Sequence, residues 1–158
     1  MSDCYTAALR ILSYRFNGEA ELRRKLASKR FERAEVDATI ERLRKEKWID
    51  DDRFAASFVR ARLQKHIGRM RIRRELIAMG VDDAVAARAI AENADEERER
   101  EDLAEACAKR IRLMKRRHGD DVLESPHERK KLAAYLLKQG YDAALIQSVV
   151  KELSVVDD

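Results

Sequence analysis

The chain contains little of what tight turns and β-sheets require. Its 158 residues include five glycines and one proline, whereas proteins built from hairpins and β-turns use these two residues at many corners. The abundant residues are Ala, Leu, Arg, Glu and Lys, which have the highest helix propensities. The composition therefore predicts an all-α fold.

Cysteine and long apolar segments are also scarce. Cys4 and Cys107 lie far apart in the sequence, which excludes a disulfide framework and the paired spacing of a zinc site, so we expect reduced thiols. The sequence has no apolar run of the roughly 18 residues that a membrane helix needs. The segment MSDCYTAALR lacks the basic start and apolar stretch of a signal peptide. We expect a cytoplasmic protein without membrane segments.

The motifs of common enzyme sites are missing as well. The sequence contains no glycine-rich phosphate loop, nucleophile elbow or metal-binding motif. His66, His118 and His127 stand alone, with no cysteine or carboxylate at ligand spacing. The sequence therefore predicts a protein that is not an enzyme and that holds no metal ion or cofactor.

Charge is plentiful and is sorted along the chain. Charged residues make up 41% of the sequence and hydrophobic residues 45%, with a formal net charge of +4, which indicates a folded chain with a highly charged surface. The segment from Arg53 to Gly80 and the segment from Lys109 to Arg117 are basic, and the segment from Ala91 to Asp102 between them is acidic. Basic and acidic faces are therefore expected to alternate.

One pattern occurs three times, which is the mark of a repeat protein. It reads ELRRKLASKRFERAEVDATIERL from Glu21, RIRRELIAMGVDDAVAARAIAENA from Arg71 and KLAAYLLKQGYDAALIQSVVKEL from Lys131. Each copy has apolar residues at helical spacing on both sides of a turn. The pattern predicts two helices per copy.

Glycine marks the turn in the second and third copies. Gly80 and Gly140 are each followed by an apolar residue and an aspartate, Asp82 or Asp142, which predicts a left-handed helix C-cap and then a helix N-cap. The first copy has Arg30 at this place. Its turn is therefore either strained by about 1 kcal/mol or built differently.

Another amphipathic segment precedes each copy, so the predicted unit has three helices. The expected domains are residues 1–50, 51–94 and 95–158, the last with a longer loop near 118–126. Gly18 and Gly68 separate the first helix from the second in the first two units, and Ser125 and Pro126 begin a helix after the longer loop. Together the units predict about nine helices in an elongated, curved tandem array.

The segment WIDDDRFA, from Trp48 to Ala55, joins the first unit to the second. Its three aspartates precede a predicted helix, where one can act as the N-cap and the others can add to the first turn. Converging ligands for a metal site are not present in the sequence, so we interpret the segment as a helix boundary. Trp48 and Tyr141 fall on boundary or apolar positions and are expected to pack in the core rather than stack on bases.

These segments together resemble the RecX family of bacterial regulators of the RecA recombinase. The resemblance rests on WIDDDRFA, SFVRARLQKHIG, RIRRELIAMGV and RHGDDVLESPHERKKLAAYLLKQGYDAALIQSVV, and it covers essentially the whole chain in order. It implies a non-catalytic array of three-helix units that binds the RecA filament on single-stranded DNA. It also implies inhibition of filament growth, ATP hydrolysis, strand exchange and co-protease activity. We further expect a monomer, with weak direct DNA binding as an additional possibility.

Cationic side chains beside the apolar stripes are the candidate contacts to RecA carboxylates or DNA phosphates. We expect Arg69, Arg73 and Arg74 to be exposed. The candidate residues are Arg23, Arg24, Arg60, Arg62, Lys65, Arg69, Arg71, Arg73, Arg74, Arg116, Arg117, Lys130 and Lys131. Two alternatives remain open: these cations form an ordinary solvated face, or the chain is a general nucleic-acid-binding helical protein that acts through its basic patch.

Overall fold

The computed structural model describes the backbone of residues 3–156 and the side chains of residues 3–153. This part of the chain contains nine α-helices and no strand, so the predicted all-α fold is confirmed. The helices are α1 (Cys4–Tyr14), α2 (Glu19–Ser28), α3 (Arg33–Lys45), α4 (Asp51–Leu63), α5 (Arg69–Ala78), α6 (Asp83–Asn93), α7 (Glu96–His118), α8 (Pro126–Gln139) and α9 (Ala143–Val156). A short 3-10 helix, Asp120–Glu124, lies between α7 and α8.

One compact unit comprises the described part of Met1–Phe58 together with Arg73–Glu92. Apolar residues of α1, α2 and α3, spaced three or four apart, meet in its core, as helical periodicity predicts. The buried residues of this core are Cys4, Ala7, Ala8, Leu22, Leu26, Val36, Ile40, Leu43 and Ile49.

The other compact unit comprises Val59–Ile72 and the described part of Asn93–Asp158. Helices α7, α8 and α9 pack against one another in this unit. Its buried residues are Leu103, Cys107, Ile111, Met114, Val122, Leu132, Leu136, Tyr141, Ile146 and Val149. The division into three repeats at residues 1–50, 51–94 and 95–158 and the elongated array stay predictions.

The helix caps follow the sequence closely. Asp142 Oδ1 accepts hydrogen bonds from the backbone of Ala144 at 2.9 Å and Leu145 at 3.2 Å. Ser125 is the N-cap of α8 and Pro126 is its first residue, so both predicted caps are confirmed. These side chains satisfy amide groups that a helix N-terminus otherwise leaves without acceptors.

The three turns after α2, α5 and α8 share one backbone conformation. Gly80 and Gly140 have φ values of +86° and +99°, which confirms the predicted left-handed caps. Arg30 has a φ of +67°, and its amide donates to the Ala27 carbonyl at 2.9 Å. The first copy therefore keeps the same left-handed turn with an arginine in it, and this backbone strain costs about 1 kcal/mol.

Within the first unit, the start of α2 packs directly against the turn between α5 and α6. The Gly18 amide donates to the Met79 carbonyl at 2.8 Å. A Cβ on Gly18 would lie 2.3 Å from the carbonyl carbon of Gly80, and a Cβ on Gly80 would lie 2.6 Å from the Glu21 Cβ. Because atoms cannot approach so closely, neither glycine has room for a side chain.

Within the second unit, the start of α5 meets the turn between α8 and α9 in the same way. The Gly68 amide donates to the Gln139 carbonyl at 2.9 Å. A Cβ on Gly68 would lie 2.3 Å from the carbonyl carbon of Gly140, and a Cβ on Gly140 would lie 2.4 Å from the Arg71 Cβ. The two glycine pairs are therefore equivalent contacts in equivalent places of the repeated pattern.

Candidate partner-binding surface

Arg23 and Arg73, at equivalent places in α2 and α5, both form ion pairs with aspartates. The Arg73 guanidinium donates two hydrogen bonds of 2.6 Å to the Asp83 carboxylate. These bonds hold the pKa of the Asp83 carboxyl below its usual value. Arg23 bonds Asp37 and lies 3.1 Å from the Glu19 carboxylate. A partner that binds either arginine must therefore compete with an internal carboxylate.

Arg24 and Arg74 follow them in the sequence and are placed differently. Both side chains are exposed. The described part of the chain offers neither of them a hydrogen-bond or ion-pair partner. Two equivalent guanidinium groups are thus available to an external anion, and guanidinium binds carboxylate and phosphate groups in a bidentate manner.

Arg69 corrects one expectation from the sequence, because it is largely covered rather than exposed. Its Nε lies 2.7 Å from Glu99 Oε2, and 26% of its side chain is exposed. Its backbone amide donates to Glu99 Oε1 at 3.2 Å. Gly68 brings no side chain to cap α5, and Glu99 of α7 supplies the missing acceptor. Glu99 therefore stabilises the start of α5 and engages the Arg69 guanidinium at the same time.

Three neighbouring candidate arginines are half-buried or hydrogen-bonded within the fold. Arg71 is half-buried beside Gly140 and reaches the Gln139 side chain at 3.5 Å. Arg62 is also half-buried. Arg60 is exposed and donates to Asn93 Oδ1 at 3.1 Å. These three arginines are held in part by the fold itself.

The last candidates lie mostly in α7 and α8. Lys131 Nζ is 2.8 Å from Glu128 Oε1. Arg116, Arg117 and Lys130 are exposed. Within residues 3–156, six exposed candidates have no ion-pair or hydrogen-bond partner for their side chains: Arg24, Lys65, Arg74, Arg116, Arg117 and Lys130.

The aspartates of WIDDDRFA have three separate roles in the first unit. Asp50 Oδ1 accepts from the Arg53 amide at 3.0 Å and caps α4, as predicted. Asp51 Oδ2 accepts from the Glu19 amide at 3.3 Å and so caps α2, whose own N-cap is Gly18. Asp52 pairs with Arg88. The sequence indicated the cap and the place of Asp51 and Asp52 in the first turn of α4. It did not indicate their contacts with Glu19 and Arg88, because these join residues more than thirty positions apart.

Burial affects the charge of Asp51. Desolvation raises the pKa of its carboxyl above the usual value, although the bond from the Glu19 amide acts in the opposite direction. Among the described residues its Oδ1 is buried without a hydrogen-bond partner. The ionised form is therefore costly in the folded protein.

Trp48 also differs from expectation, whereas Tyr141 matches it. Trp48 is 56% exposed, and Tyr141 is 1% exposed. The Tyr141 hydroxyl donates to the His66 carbonyl at 2.7 Å. The prediction of core packing is therefore wrong for Trp48 and confirmed for Tyr141.

Residues 3–156 contain no group of three or more His, Cys, Asp and Glu side chains arranged to hold a metal ion. None of the helices described is both long and apolar enough to cross a bilayer. Burial raises the pKa of the Cys107 thiol to about 11. This cysteine is a small buried apolar group in the core of the second unit.

Comparison with known proteins identifies the family. Residues 4–43 match the first three-helix domain of RecX, and residues 50–90 match the second. The chain is 30% identical to the Regulatory protein RecX of Serratia proteamaculans (strain 568), over 98% of this chain and 99% of that protein. The chain belongs to the RecX family. The resemblance seen in the sequence motifs is thereby confirmed.

Other RecX proteins support the same assignment. The Regulatory protein RecX of Xanthomonas campestris pv. campestris (strain B100) is 36% identical over 89% of this chain and 81% of its own. The crystal structure of RecX from Lactobacillus salivarius matches with a TM-score of 0.76 and 26% identity, covering 96% of this chain and 95% of that one. Arg24 lies within the match to the first three-helix domain of RecX, and Arg74 lies within the match to the second.

Proposed function

We propose that this RecX-family chain inhibits the RecA recombinase by binding the RecA filament on single-stranded DNA. Family membership supports a regulatory role, since its relatives are named regulatory proteins. The inhibitor binds without catalysing a reaction and without a cofactor. The expected consequences are slower filament growth, ATP hydrolysis and strand exchange, and weaker co-protease activity. The cytoplasmic location and the monomeric state expected from the sequence are part of this proposal.

The observation that carries the proposed contact is the repetition of an available arginine. Arg24 and Arg74 occupy equivalent helix positions, are exposed, and find no partner for their side chains within the described chain. A filament presents repeating carboxylates and phosphates, so repeated cations on the regulator suit it. We therefore assign the leading contact to Arg24 and Arg74, with Lys65, Arg116, Arg117 and Lys130 as further contacts.

The remaining candidates take a supporting part in this proposal. Arg23, Arg69, Arg73 and Lys131 already form ion pairs with Asp or Glu side chains. Arg60, Arg62 and Arg71 are half-buried or bonded to amide side chains. These residues position the helices that carry the available cations.

A direct test measures ATP hydrolysis by RecA on single-stranded DNA with increasing amounts of this protein. The proposal expects hydrolysis to fall with added protein and to recover as salt is raised, because screening weakens contacts between exposed charges. Unchanged hydrolysis at a several-fold excess of this protein over RecA would contradict it.

A second test separates this proposal from general nucleic-acid binding. Immobilised protein is incubated with RecA in the absence of DNA. A RecA regulator retains RecA under these conditions, whereas a protein that binds only nucleic acid retains none. Binding of single-stranded DNA alone, measured in parallel, then reports the strength of any direct contact with phosphates.

A further inference from the structure

Side chains of α7 and α8 in the second unit, together with Lys65 and His66, line a shallow groove. It consists of two adjoining cavities of about 210 Å³ and about 190 Å³. Arg110 and Leu113 line both cavities. Ligand sites are concave surfaces with an apolar part and a few placed polar groups, and this groove contains both.

The apolar part of the groove is centred on Leu113. This side chain is 45% exposed, although it belongs to a helix rich in charged residues. Ala106 and Tyr135 line the same cavity and are partly buried. A small apolar surface therefore lies open within a charged helix face.

Two of the three acidic side chains that line the groove already bond to other side chains. Asp102, with 14% of its side chain exposed, bonds His66 Nδ1 at 2.8 Å. Glu128, with 13% exposed, bonds Lys131 at 2.8 Å. These two carboxylates are already used, and Glu105 is the remaining acid that lines the groove.

The cations on either side of Leu113 are more accessible. Lys109 and Arg117 are exposed, and within the described chain neither side chain has a hydrogen-bond or ion-pair partner. Lys65 lines the same cavity as Lys109 and is equally exposed. The groove therefore combines an apolar centre with available positive charge at both ends.

We propose that this groove binds an acidic peptide segment of a partner protein that carries one apolar side chain. The apolar side chain packs on Leu113 and Tyr135, and the carboxylates pair with Lys109 on one side and Arg117 on the other. This site goes beyond the RecA regulation proposed above, because the peptide need not belong to RecA. Lys65 and Arg117 take part in both proposals, whereas the leading contacts Arg24 and Arg74 do not line the groove.

The spacing of these residues defines the peptide further. Lys109 and Arg117 each lie four residues from Leu113, which is about 6 Å along a helix. An extended peptide advances about 3.3 Å per residue. Its carboxylates are therefore expected about two residues before and two residues after the apolar side chain.

A peptide suits this groove better than a nucleic acid. The Arg110 guanidinium lies 4.6 Å from the centroid of the Tyr135 ring, so one face of the aromatic ring in the groove is already occupied and is closed to a stacking base. Glu105 lines the groove without a hydrogen-bond or ion-pair partner among the described residues, so it would repel a continuous phosphate backbone. A peptide can place its few charges beside the available cations only.

The test uses fluorescence anisotropy with the full chain and a labelled peptide. The peptide has one leucine flanked on each side by one aspartate and one glutamate. Leu113→Ser removes the apolar centre and Arg117→Gln removes one cation, and each is expected to weaken binding at least about fivefold. Peptides with the leucine replaced by serine, or with the acids replaced by lysine, should bind correspondingly less.

Matched controls are present in the same unit. Leu137 of α8 is 44% exposed but does not line the groove, so Leu137→Ser should bind the peptide as the parent does. Arg112 of α7 is exposed and lies outside both cavities, so Arg112→Gln should also be neutral. Thermal melting checks that all four variants are folded.

Three outcomes would overturn the proposal. The first is a parent that does not bind the acidic peptide at low salt. The second is an equal loss of binding in the groove variants and the control variants. The third is an oligo-thymidine probe whose binding depends on Leu113 and Arg117 while that of the peptide does not, which would make the groove a nucleic-acid site. Inhibition of RecA is measured separately, so failure here is distinguishable from failure of the proposed function.

Discussion

At the scale of single residues, three consecutive aspartates show how far local sequence rules reach. Asp50 was predictable as a cap, because a cap and its helix are neighbours in the sequence. The contacts of Asp51 with Glu19 and of Asp52 with Arg88 were not predictable, since no local pattern specifies which distant backbone or side chain a carboxylate will meet.

The raised pKa of Asp51 gives a pH-dependent prediction. When the pKa of a carboxyl is higher in the folded than in the unfolded state, proton binding stabilises the folded protein at low pH. This contribution is lost as the pH rises through the folded-state pKa. Asp51→Asn keeps an oxygen that can accept from the Glu19 amide and removes the charge. We expect the variant to be at least as stable as the parent at neutral pH.

Urea denaturation between pH 4 and pH 7 checks this prediction. The free energy of unfolding of the variant, relative to that of the parent, should increase as the pH rises from the acid end. Asp121→Asn, which changes an exposed aspartate without a side-chain partner among the described residues, is the control. A variant that loses stability relative to the parent as the pH rises would mean that the ionised Asp51 is favourable in the fold.

Tyr141 supplies a second residue-scale prediction. Burial raises the pKa of its hydroxyl, so the hydroxyl stays protonated and donates to the His66 carbonyl at 2.7 Å. Tyr141→Phe removes this donor and is expected to lower the free energy of unfolding by about 1 kcal/mol. Tyr14, which is 84% exposed, gives the control Tyr14→Phe, which should be neutral. Equal melting temperatures for both variants would show that the bond contributes nothing.

At the scale of helices and turns, the repeated glycines have two different requirements. Gly80 and Gly140 need a left-handed φ, which the sequence indicated, and they also need space. Arg30 adopts the same left-handed φ, but it is exposed, whereas Gly80 and Gly140 are buried. This difference explains why an arginine is tolerated there. The need for space was hidden from the sequence, because it arises between segments far apart in the chain.

Gly18 and Gly68 test the packing requirement alone, because their φ values are not in the left-handed region. An alanine at either position places its Cβ about 2.3 Å from a backbone carbon. We expect Gly18→Ala and Gly68→Ala each to cost about 1–3 kcal/mol. Arg30→Gly, which relieves strain at a turn, should be neutral or stabilising by up to about 1 kcal/mol. Chemical denaturation of the three variants provides the measurement.

The stability of these variants decides whether the glycine pairs are in close contact in solution. If both alanine variants are as stable as the parent, the glycine pairs are not close contacts in solution. Gly140→Val adds both strain and collision and should be the most destabilising of the series. A Gly140→Val variant that melts with the parent would contradict the left-handed cap as well.

At the scale of the whole molecule, the sequence predicted where cations are abundant but not which of them are available. Counting charges between Arg53 and Gly80 could not show that Glu99 engages Arg69 or that Asp83 engages Arg73. Those pairs depend on how helices meet. The family and the all-α fold were predictable, because they depend on repeated apolar spacing and on motifs that extend along the entire chain.

The distinction between engaged and available arginines changes which variants test the function. Reversing Arg69 or Arg73 to glutamate would remove ion pairs within the fold and would confuse loss of stability with loss of binding. Arg24 and Arg74 are exposed and have no such pairs within the described residues. Their reversal should leave helix content and melting temperature nearly unchanged.

The most direct measurement is therefore the inhibition of RecA ATP hydrolysis on single-stranded DNA. It compares the parent protein with a double variant, Arg24→Glu and Arg74→Glu, and with a control double variant. The control reverses Arg10 and Arg98, which are exposed and likewise without side-chain partners in the described chain, so net charge changes equally. The account predicts that the Arg24 and Arg74 pair requires at least about tenfold more protein for half-inhibition, since charged hydrogen bonds contribute about 1.5–3 kcal/mol each. The control pair should inhibit as the parent does. A folded Arg24 and Arg74 variant that inhibits as well as the parent would contradict the assignment of these two arginines as the leading contact.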